Sequence, residues 1–404
     1  MKLSFKLFLE NEEKYESIYA DIPMPPEVYS LSDLFTKNGA SLFAVGGAIR
    51  DYLYHIYHDP KSKYDPKDVD LATEATPDKI TNILNSPEGQ KLGIKVVPKG
   101  EAFGVISAIL NGQEYEIATF REDGTYSDGR RPDSVNFSTP GKDSARRDLT
   151  FNALFYDIHK KEIRDYNNGQ GIQDIKDLIA RPVGNAQDRF KEDKLRIPRL
   201  IRFFSRFNPG SIKQHLDQNT LNAIEAFKDL AGVSPERIAN EFKAGLEKCK
   251  NPVNYILNYY VTDLFPAVFP GLKVDIDDVQ KIGNIKRITP VLAWLLKSND
   301  DIRRKLNNLK WPNDISDTAN FLIQLMNFDP NKIFNYIKYR DAHPGMDQDI
   351  LDFGKITGME SEFIKFLNYK QKTKSQDFLH LKGPEISKAM ANAEKDHYLN
   401  HKLT

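Results

Sequence analysis

The sequence predicts an α+β protein, a head of interspersed strands and helices followed by an all-helical remainder. Three observations predict it. Short apolar runs bounded by Gly, Asn and Pro recur at 42–45, 94–97, 103–110, 115–120 and 151–158. After about residue 175 the spacing becomes helical, punctuated by Pro182, Pro209, Pro235 and Pro252. Formal charge changes sign in the same region. Residues 1–150 hold 18 Lys+Arg against 24 Asp+Glu, and the remainder holds 39 against 33, which cancels to zero over the 404 residues. The boundary falls near 160–180. The charge split has two readings: an accident of composition, or an acidic, metal-holding part joined to a basic part that holds an anionic polymer.

Taken in order, the first forty residues read as a helical lead-in ending in LSDLFTKNGA. The run Leu42–Val45 reads as a strand that stops at Gly46 and Gly47, where a helical pattern of Ile49, Leu53 and Ile56 begins. The further runs supply the other strands of the head. The segment 122–143, EDGTYSDGRRPDSVNFSTPGKD, is polar and turn-rich, and reads as a long loop of the kind that carries function. From there to the end the pattern is helical, with high Lys, Asn and Asp content after about residue 300 and no internal repeat.

Composition limits the function classes. A 40% hydrophobic, 28% charged chain is an ordinary globular protein, not a disordered or fibrous one. One cysteine, Cys249, excludes a disulfide framework and fits a reducing compartment. No run approaches the roughly 18 apolar residues of a membrane span. The amino terminus, MKLSFKLFLENEEK, places lysine inside its apolar run and acids after it, a poor secretory or mitochondrial signal. The expectation is a cytoplasmic protein with no membrane association and no obligate protein partner.

Four clusters carry chemistry. In FAVGGAIRDYL (43–53), glycines between strand and helix let a ligand approach the backbone, the new helix offers free N–H groups, and Arg50 adds a charge. That suits a triphosphate, although paired glycines also make plain tight turns. In KDVDLAT (67–73), strand alternation puts Asp68 and Asp70 on one face and Val69 on the other. Two such carboxylates are either a solvated loop or a cation site, and Mg²⁺, which keeps positions for phosphate oxygens, is the natural occupant. Glu116, in EYEIATFR, is either a third acid of that site or an exposed strand glutamate. In SARRDLTFNALFYD (144–157), Arg146 and Arg147 read as surface charge or as a phosphate clamp, with Asp148 orienting one of them. In DRFKEDKLRIPRLIRFFSRF (188–207), Arg196, Arg199, Arg202 and Arg206 share one helical face, and guanidinium forks suit phosphates and base edges. A helix starting near Lys194, capped by Asp193, would put Pro198 where N–H groups lack partners anyway. Ser234 reads as the N-cap of a further helix, SPERIANEF.

In this order the motifs GGAIRD (46–51), DVD (68–70), EIATFREDGTYSDGRRPD (116–133), RRDLTFNAL (146–154), EDKLRIPRLIRF (192–203) and SPERIANEF (234–242) resemble the bacterial-type (class II) tRNA nucleotidyltransferase and poly(A) polymerase family, of the polymerase-β-like nucleotidyltransferase superfamily. The match spans about 200 residues, half the chain, and departs from the family in a longer 52–67 segment and in Pro198, where the family usually has an apolar residue. The resemblance implies a head with a small mixed sheet (1–175), a helical neck with a base-recognition motif (176–255), a body (256–330) and a tail (331–404). It implies Asp68 and Asp70 as ligands of two Mg²⁺ ions. Gly46, Gly47 and Arg50 would meet the incoming nucleotide, Arg147 its phosphates, and Asp193, Arg196, Arg199 and Arg202 match the nucleotide-binding positions of the family's neck motif, with Asp193 and Arg196 as a protein template for the base. The segment 122–143 corresponds to the family's flexible head loop. The implied activity is template-independent addition of C and A from CTP and ATP to the 3′ end of tRNA. The alternatives are a poly(A) polymerase, a CC-adding or A-adding specialist, and a catalytically silent RNA-binding relative. Poly(A) polymerases of this type usually carry a Gly-Arg-Arg-Phe-rich strand where this chain reads KVVPKGEAFGVISAIL (95–110).

Overall fold

The computed structural model describes residues 6–10, 13–66, 68–97, 104–126, 129 and 132–401. The chain folds as two compact units, residues 1–208 with 212–233, and residues 209–211 with 234–404.

The first unit is built on a mixed sheet. Its strands are β1 (Lys6–Glu10), β2 (Glu13–Tyr19), β3 (Phe43–Val45), β4 (Asp70–Thr73), β5 (Lys95–Val97), β6 (Val105–Leu110) and β7 (Gln113–Thr119), then, after a separate ribbon of β8 (Arg121–Asp123) and β9 (Val135–Phe137), β10 (Leu154–Asp157) and β11 (Glu162–Asp165). The order is β1-β2-β11-β10-β3-β4-β7-β6-β5. The pair β4–β7 is parallel, and its neighbours β3–β4 and β6–β7 are antiparallel. A parallel pair needs a crossover, and α3 (Pro77–Leu84) lies in it. Around the sheet run α1 (Pro26–Lys37), α2 (Gly47–His58), the short α4 (Pro87–Lys91) and α5 (Pro140–Ala145), α6 (Gln170–Asp177), α7 (Ala186–Glu192), α8 (Arg196–Phe207) and α9 (Gln218–Phe227).

Register places the core. Val45 lies opposite Asp70 and Phe155 opposite Val45, so these side chains share one face of the sheet. On that face Phe43, Val45, Ala72, Phe120 and Phe155 pack into a buried cluster, with ring centroids of Phe43 and Phe120 5.6 Å apart.

Three sequence expectations change. The lead-in is helical only from Pro26, because residues 6–10 and 13–19 pair as the antiparallel strands β1 and β2, and β2 pairs with β11 through Ile18 opposite Ile163. Sheet pairing with residues about 145 positions away is invisible to local pattern. The expected 122–143 loop contains the β8–β9 ribbon and most of α5, while residues 127, 128, 130 and 131 lie outside the described residues, as does Phe103 of an expected strand. The expected 151–158 strand begins only at Leu154, after a 3₁₀ turn at Thr150–Asn152.

Among the described residues no strand follows β11, and the second unit is helical from α10 (Pro235–Lys248) onward, with Ser234 at its N-cap position as expected. Its core gathers around Phe242, whose ring meets Tyr255, Tyr259, Phe269 and Trp311. Gly245 makes this possible: a Cβ there would sit 2.2 Å from the Tyr255 hydroxyl, which donates to the Phe242 carbonyl at 2.8 Å. No helix among the described residues is long and apolar enough to cross a membrane.

Candidate active site

The acids, the glycine turn and the arginines meet at one end of β3, β4 and β7. β4 opens on Asp70, opposite the last residue of β3, and Gly46 follows directly. In the parallel β4–β7 pair Leu71 lies beside Ile117, so Glu116 takes the register position beside Asp70. Alternation holds outside the strand too: Val69 is buried, while Asp68, Asp70 and Glu116 are exposed. The protein packed around Asp70 raises its pKa, against the charge of Arg147 and with that of Asp68. A divalent cation would relieve that like-charge contact, so the two carboxylates fit a site completed by phosphate and water oxygens. Among the described residues no group of three His, Cys, Asp or Glu side chains is set to hold a metal by itself.

The backbone at Gly46 favours glycine. Gly46 has φ of 68°, in the left-handed region, and a Cβ there would meet Arg147 Nη1 and the Asn152 carbonyl oxygen at 3.6 Å. A Cβ on Gly47, the first residue of α2, would lie 3.6 Å from Arg50 Nη2. Two guanidiniums thus flank the turn. Arg50 is buried: Nε donates to Asp51 at 2.9 Å, Nη1 donates to Asn152 Oδ1 at 2.7 Å, and the group lies over Phe203, 4.7 Å from its centroid. Its Nη2 makes no hydrogen bond among the described residues.

The adjacent arginines have a different partner from the one expected. Asp143, not Asp148, orients them. One Asp143 oxygen accepts from Arg146 Nε and Nη2 at 2.9 and 2.6 Å, the other from Arg147 Nε and Nη2 at 3.1 and 2.9 Å. Burial alone would raise the pKa of Asp143, but the two guanidiniums outweigh it and hold it low. The signal was present in the sequence, since Asp143 stands three and four residues before the arginines, where one helical turn brings side chains together. Asp148 instead takes Arg199, at 2.8 Å from Nε and 2.7 Å from Nη2, and accepts from Asn152 Nδ2 at 3.0 Å and the Leu149 N–H at 2.8 Å.

The arginine stripe lies on α8, and much of it is tied to the sheet-bearing unit. Arg196 donates to Glu192 at 2.6 Å and to the Arg146 carbonyl at 3.1 Å, Arg199 holds Asp148, and Arg206 holds Asp51 at 2.9 Å. Arg202 lies 4.1 Å over Phe203. The helix begins at Arg196, two residues later than expected. Asp193 is therefore not its N-cap, and sits at the C-cap position of α7 with a carboxylate oxygen accepting from Leu195 N–H at 3.0 Å. Pro198 falls in the first turn, where its missing N–H breaks no helical bond. The longer 52–67 segment is anchored by Tyr64, whose hydroxyl donates to the Ala48 carbonyl at 2.9 Å.

Residues 42–181 match the model of the poly A polymerase head domain. The mitochondrial CCA tRNA nucleotidyltransferase 1 of Danio rerio is 31% identical over 381 residues, 91% of this chain and 80% of that protein. The CCA-adding enzyme of Oceanobacillus iheyensis is 30% identical over 318 residues, 75% of this chain and 72% of its own. In fold, the crystal structure of the Bacillus stearothermophilus CCA-adding enzyme in complex with CTP superimposes with a TM-score of 0.67 at 22% identity, covering 93% of this chain and 94% of that one. With an identity of this size running through nearly the whole of the chain and most of its relative, the chain belongs to the CCA-adding tRNA nucleotidyltransferase family.

Proposed function

We propose that this chain is a nucleotidyltransferase that adds C and A from CTP and ATP, without a nucleic-acid template, to the 3′ end of tRNA and releases pyrophosphate. The observation that carries the reading is the meeting of Gly46–Gly47, Asp68–Asp70 and Arg147 at neighbouring strand ends. Family membership supports the transferase activity and its use of a divalent metal.

Held by Asp68 and Asp70, Mg²⁺, two ions in this reading, would lower the pKa of the RNA 3′-hydroxyl and neutralise charge on the triphosphate and the leaving pyrophosphate. Glu116, at the register position beside Asp70, is read as a third acid near them and not as a metal ligand. The Gly46–Gly47 backbone admits the triphosphate, Arg147 takes its phosphates, and Arg50 offers Nη2 from behind the turn. Asp193 and Arg196 read the base: the carboxylate accepts from the exocyclic amine of C or A, and the guanidinium donates to the neighbouring ring nitrogen. With Nη1 and one Nη2 hydrogen engaged, Arg196 retains, among the described residues, Nε–H and one Nη2 hydrogen for that purpose. Arg199 and Arg202 continue the same face of α8.

In this scheme residues 1–175 are the head, 176–255 the neck, 256–330 the body and 331–404 the tail. The sole cysteine, Cys249, is free and buried, which suits a reducing cytoplasm. The test is incubation with tRNA transcripts truncated to each stage of the CCA end, supplying CTP and ATP separately. Stepwise completion that stops after the terminal A is the expected result. Open-ended adenylation would instead support a poly(A) polymerase, arrest after the two C's or activity only on them a specialist, and binding without incorporation a silent relative.

A further inference from the structure

We propose that Asn152 is a positioning residue for nucleotide binding, bridging Arg50 to Asp148 through its amide and taking Arg147 on its carbonyl, so that one residue sets both guanidiniums at the Gly46–Gly47 turn. The inference rests on the nucleotidyltransferase reading of that turn.

Asn152 is 7% exposed and ends the 3₁₀ turn Thr150–Asn152. The turn is pinned at its other end, where the Thr150 hydroxyl donates to Asp174 at 2.6 Å. The Asn152 side chain accepts from Arg50 Nη1 at 2.7 Å and donates to Asp148 Oδ1 at 3.0 Å, while its backbone carbonyl accepts from Arg147 Nη1 at 3.4 Å. The amide orientation follows from the partners, because a guanidinium only donates and an ionised carboxylate only accepts. A side chain at 152 must therefore present an acceptor to one neighbour and a donor to the other. Aspartate would set a second carboxylate against Asp148, and an aliphatic residue would leave Arg50 Nη1 a buried donor without its acceptor and take from Asp148 Oδ1 one of its two donors.

The consequence is directional. Nε and Nη1 of Arg50 are fixed by Asp51 and Asn152, which defines the guanidinium plane and leaves Nη2 at Gly47. Arg147, fixed by Asp143 and the Asn152 carbonyl, has Nη1 at Gly46. Without the amide, Arg50 keeps Asp51 but can rotate about that contact, and the prearranged pair of positive groups is lost. Preorganised charge binds phosphate more strongly than the same charge free to move.

The experiment compares kcat and KM for CTP and ATP, tRNA affinity and melting temperature in wild type, Asn152→Ala, Asn152→Asp and the exchange Asp148→Asn with Asn152→Asp. The exchange keeps an acceptor towards Arg50 and a donor–acceptor pair between 148 and 152 but gives up the carboxylate that holds Arg199, so Asp148→Asn alone is measured as its background. Asn152→Ala and Asn152→Asp should raise KM for both nucleotides about tenfold, the cost of roughly one buried hydrogen bond, with tRNA affinity unchanged, and Asn152→Asp should cost much less on the Asp148→Asn background than on wild type. KM equal to wild type in folded Asn152→Ala, or an Asn152→Asp change as harmful on the Asp148→Asn background as on wild type, overturns the proposal. Should Asn152→Ala fail to fold, the comparison of Asn152→Asp on the two backgrounds decides. A wild type that incorporates neither nucleotide refutes the proposed function; an active wild type with unaltered KM in the variants refutes only the role of Asn152.

Discussion

Asp148 and Arg199, 51 residues apart, form a two-pronged ion pair in which one carboxylate oxygen lies 2.8 Å from Nε and 2.7 Å from Nη2. The pair ties the RRD motif to α8, and through Asn152 it continues to Arg50 behind the glycine turn. The residues proposed to meet phosphate and base are thereby held in one hydrogen-bonded frame.

The pair makes stability depend on acid. Burial would raise the Asp148 pKa, but the Arg199 charge and hydrogen bonds from Asn152, Arg199 and Leu149 bring it down to about 2 from an ordinary 3.8. A carboxylate with a depressed folded pKa contributes stability that is fully present above its unfolded pKa and is lost as pH falls through the folded one. About 2 kcal/mol is at stake by linkage. Melting of wild type and Asp148→Asn, followed from pH 6 to about pH 2, should show a wild-type advantage that shrinks below about pH 4. An advantage independent of pH would contradict the assignment.

What could be seen in the sequence was whatever rests on local spacing. The GG turn, the DVD alternation and the arginine face of α8 each depend on residues within one turn or two strand steps of each other, and their register is as expected. The partners of those groups were less legible. Asp143 carries both arginines, whereas the motif points to Asp148 as the partner of one of them, because a motif shows which charges are present and not which of two nearby carboxylates is buried between them. The β1–β2 hairpin was missed because its pairing with β11 is long-range. The Asn152 bridge joins positions 50, 148 and 152, and only the fold brings the first to the others.

Asp70→Ala should abolish incorporation while leaving tRNA affinity within a few-fold. Asp70 sits at the strand end beside Asp68 and within the field of Arg147, so its loss would remove the proposed metal ligand without touching the helices. A fall of at least about a thousandfold in turnover is expected for removal of a group that stabilises developing charge. Single-nucleotide incorporation and filter binding of tRNA measure the two quantities separately, and retained activity would show that the metal is held elsewhere.

Pro198→Ala tests the start of α8. Proline in a helix interior costs about 3 kcal/mol, whereas in the first turn it removes no bond. With the helix beginning at Arg196, the substitution should change stability by less than about 1 kcal/mol. Denaturant unfolding with an unchanged slope gives the number. A stabilisation near 3 kcal/mol would mean that the helix starts a turn earlier.

Asp193 is the sharpest test of base selection by protein groups. Its carboxylate is fixed by the Leu195 N–H at the turn between α7 and α8, and Arg196 beside it is fixed by Glu192 and the Arg146 carbonyl, so the two present a preset acceptor and donor. Uracil and guanine offer a carbonyl where cytosine and adenine offer an amine, and against a carboxylate each leaves two acceptors facing, a penalty of about 1–3 kcal/mol. Asp193→Ala should therefore relax discrimination against UTP and GTP by roughly ten- to a hundredfold. Because alanine also removes the Leu195 contact, Asp193→Asn is the companion variant: its amide can donate to the carbonyl of U or G while its oxygen still receives Leu195. Relative kcat/KM for the four nucleotides, read beside melting temperature, separates selection from folding, and selectivity unchanged in both variants would mean that groups other than Asp193 read the base.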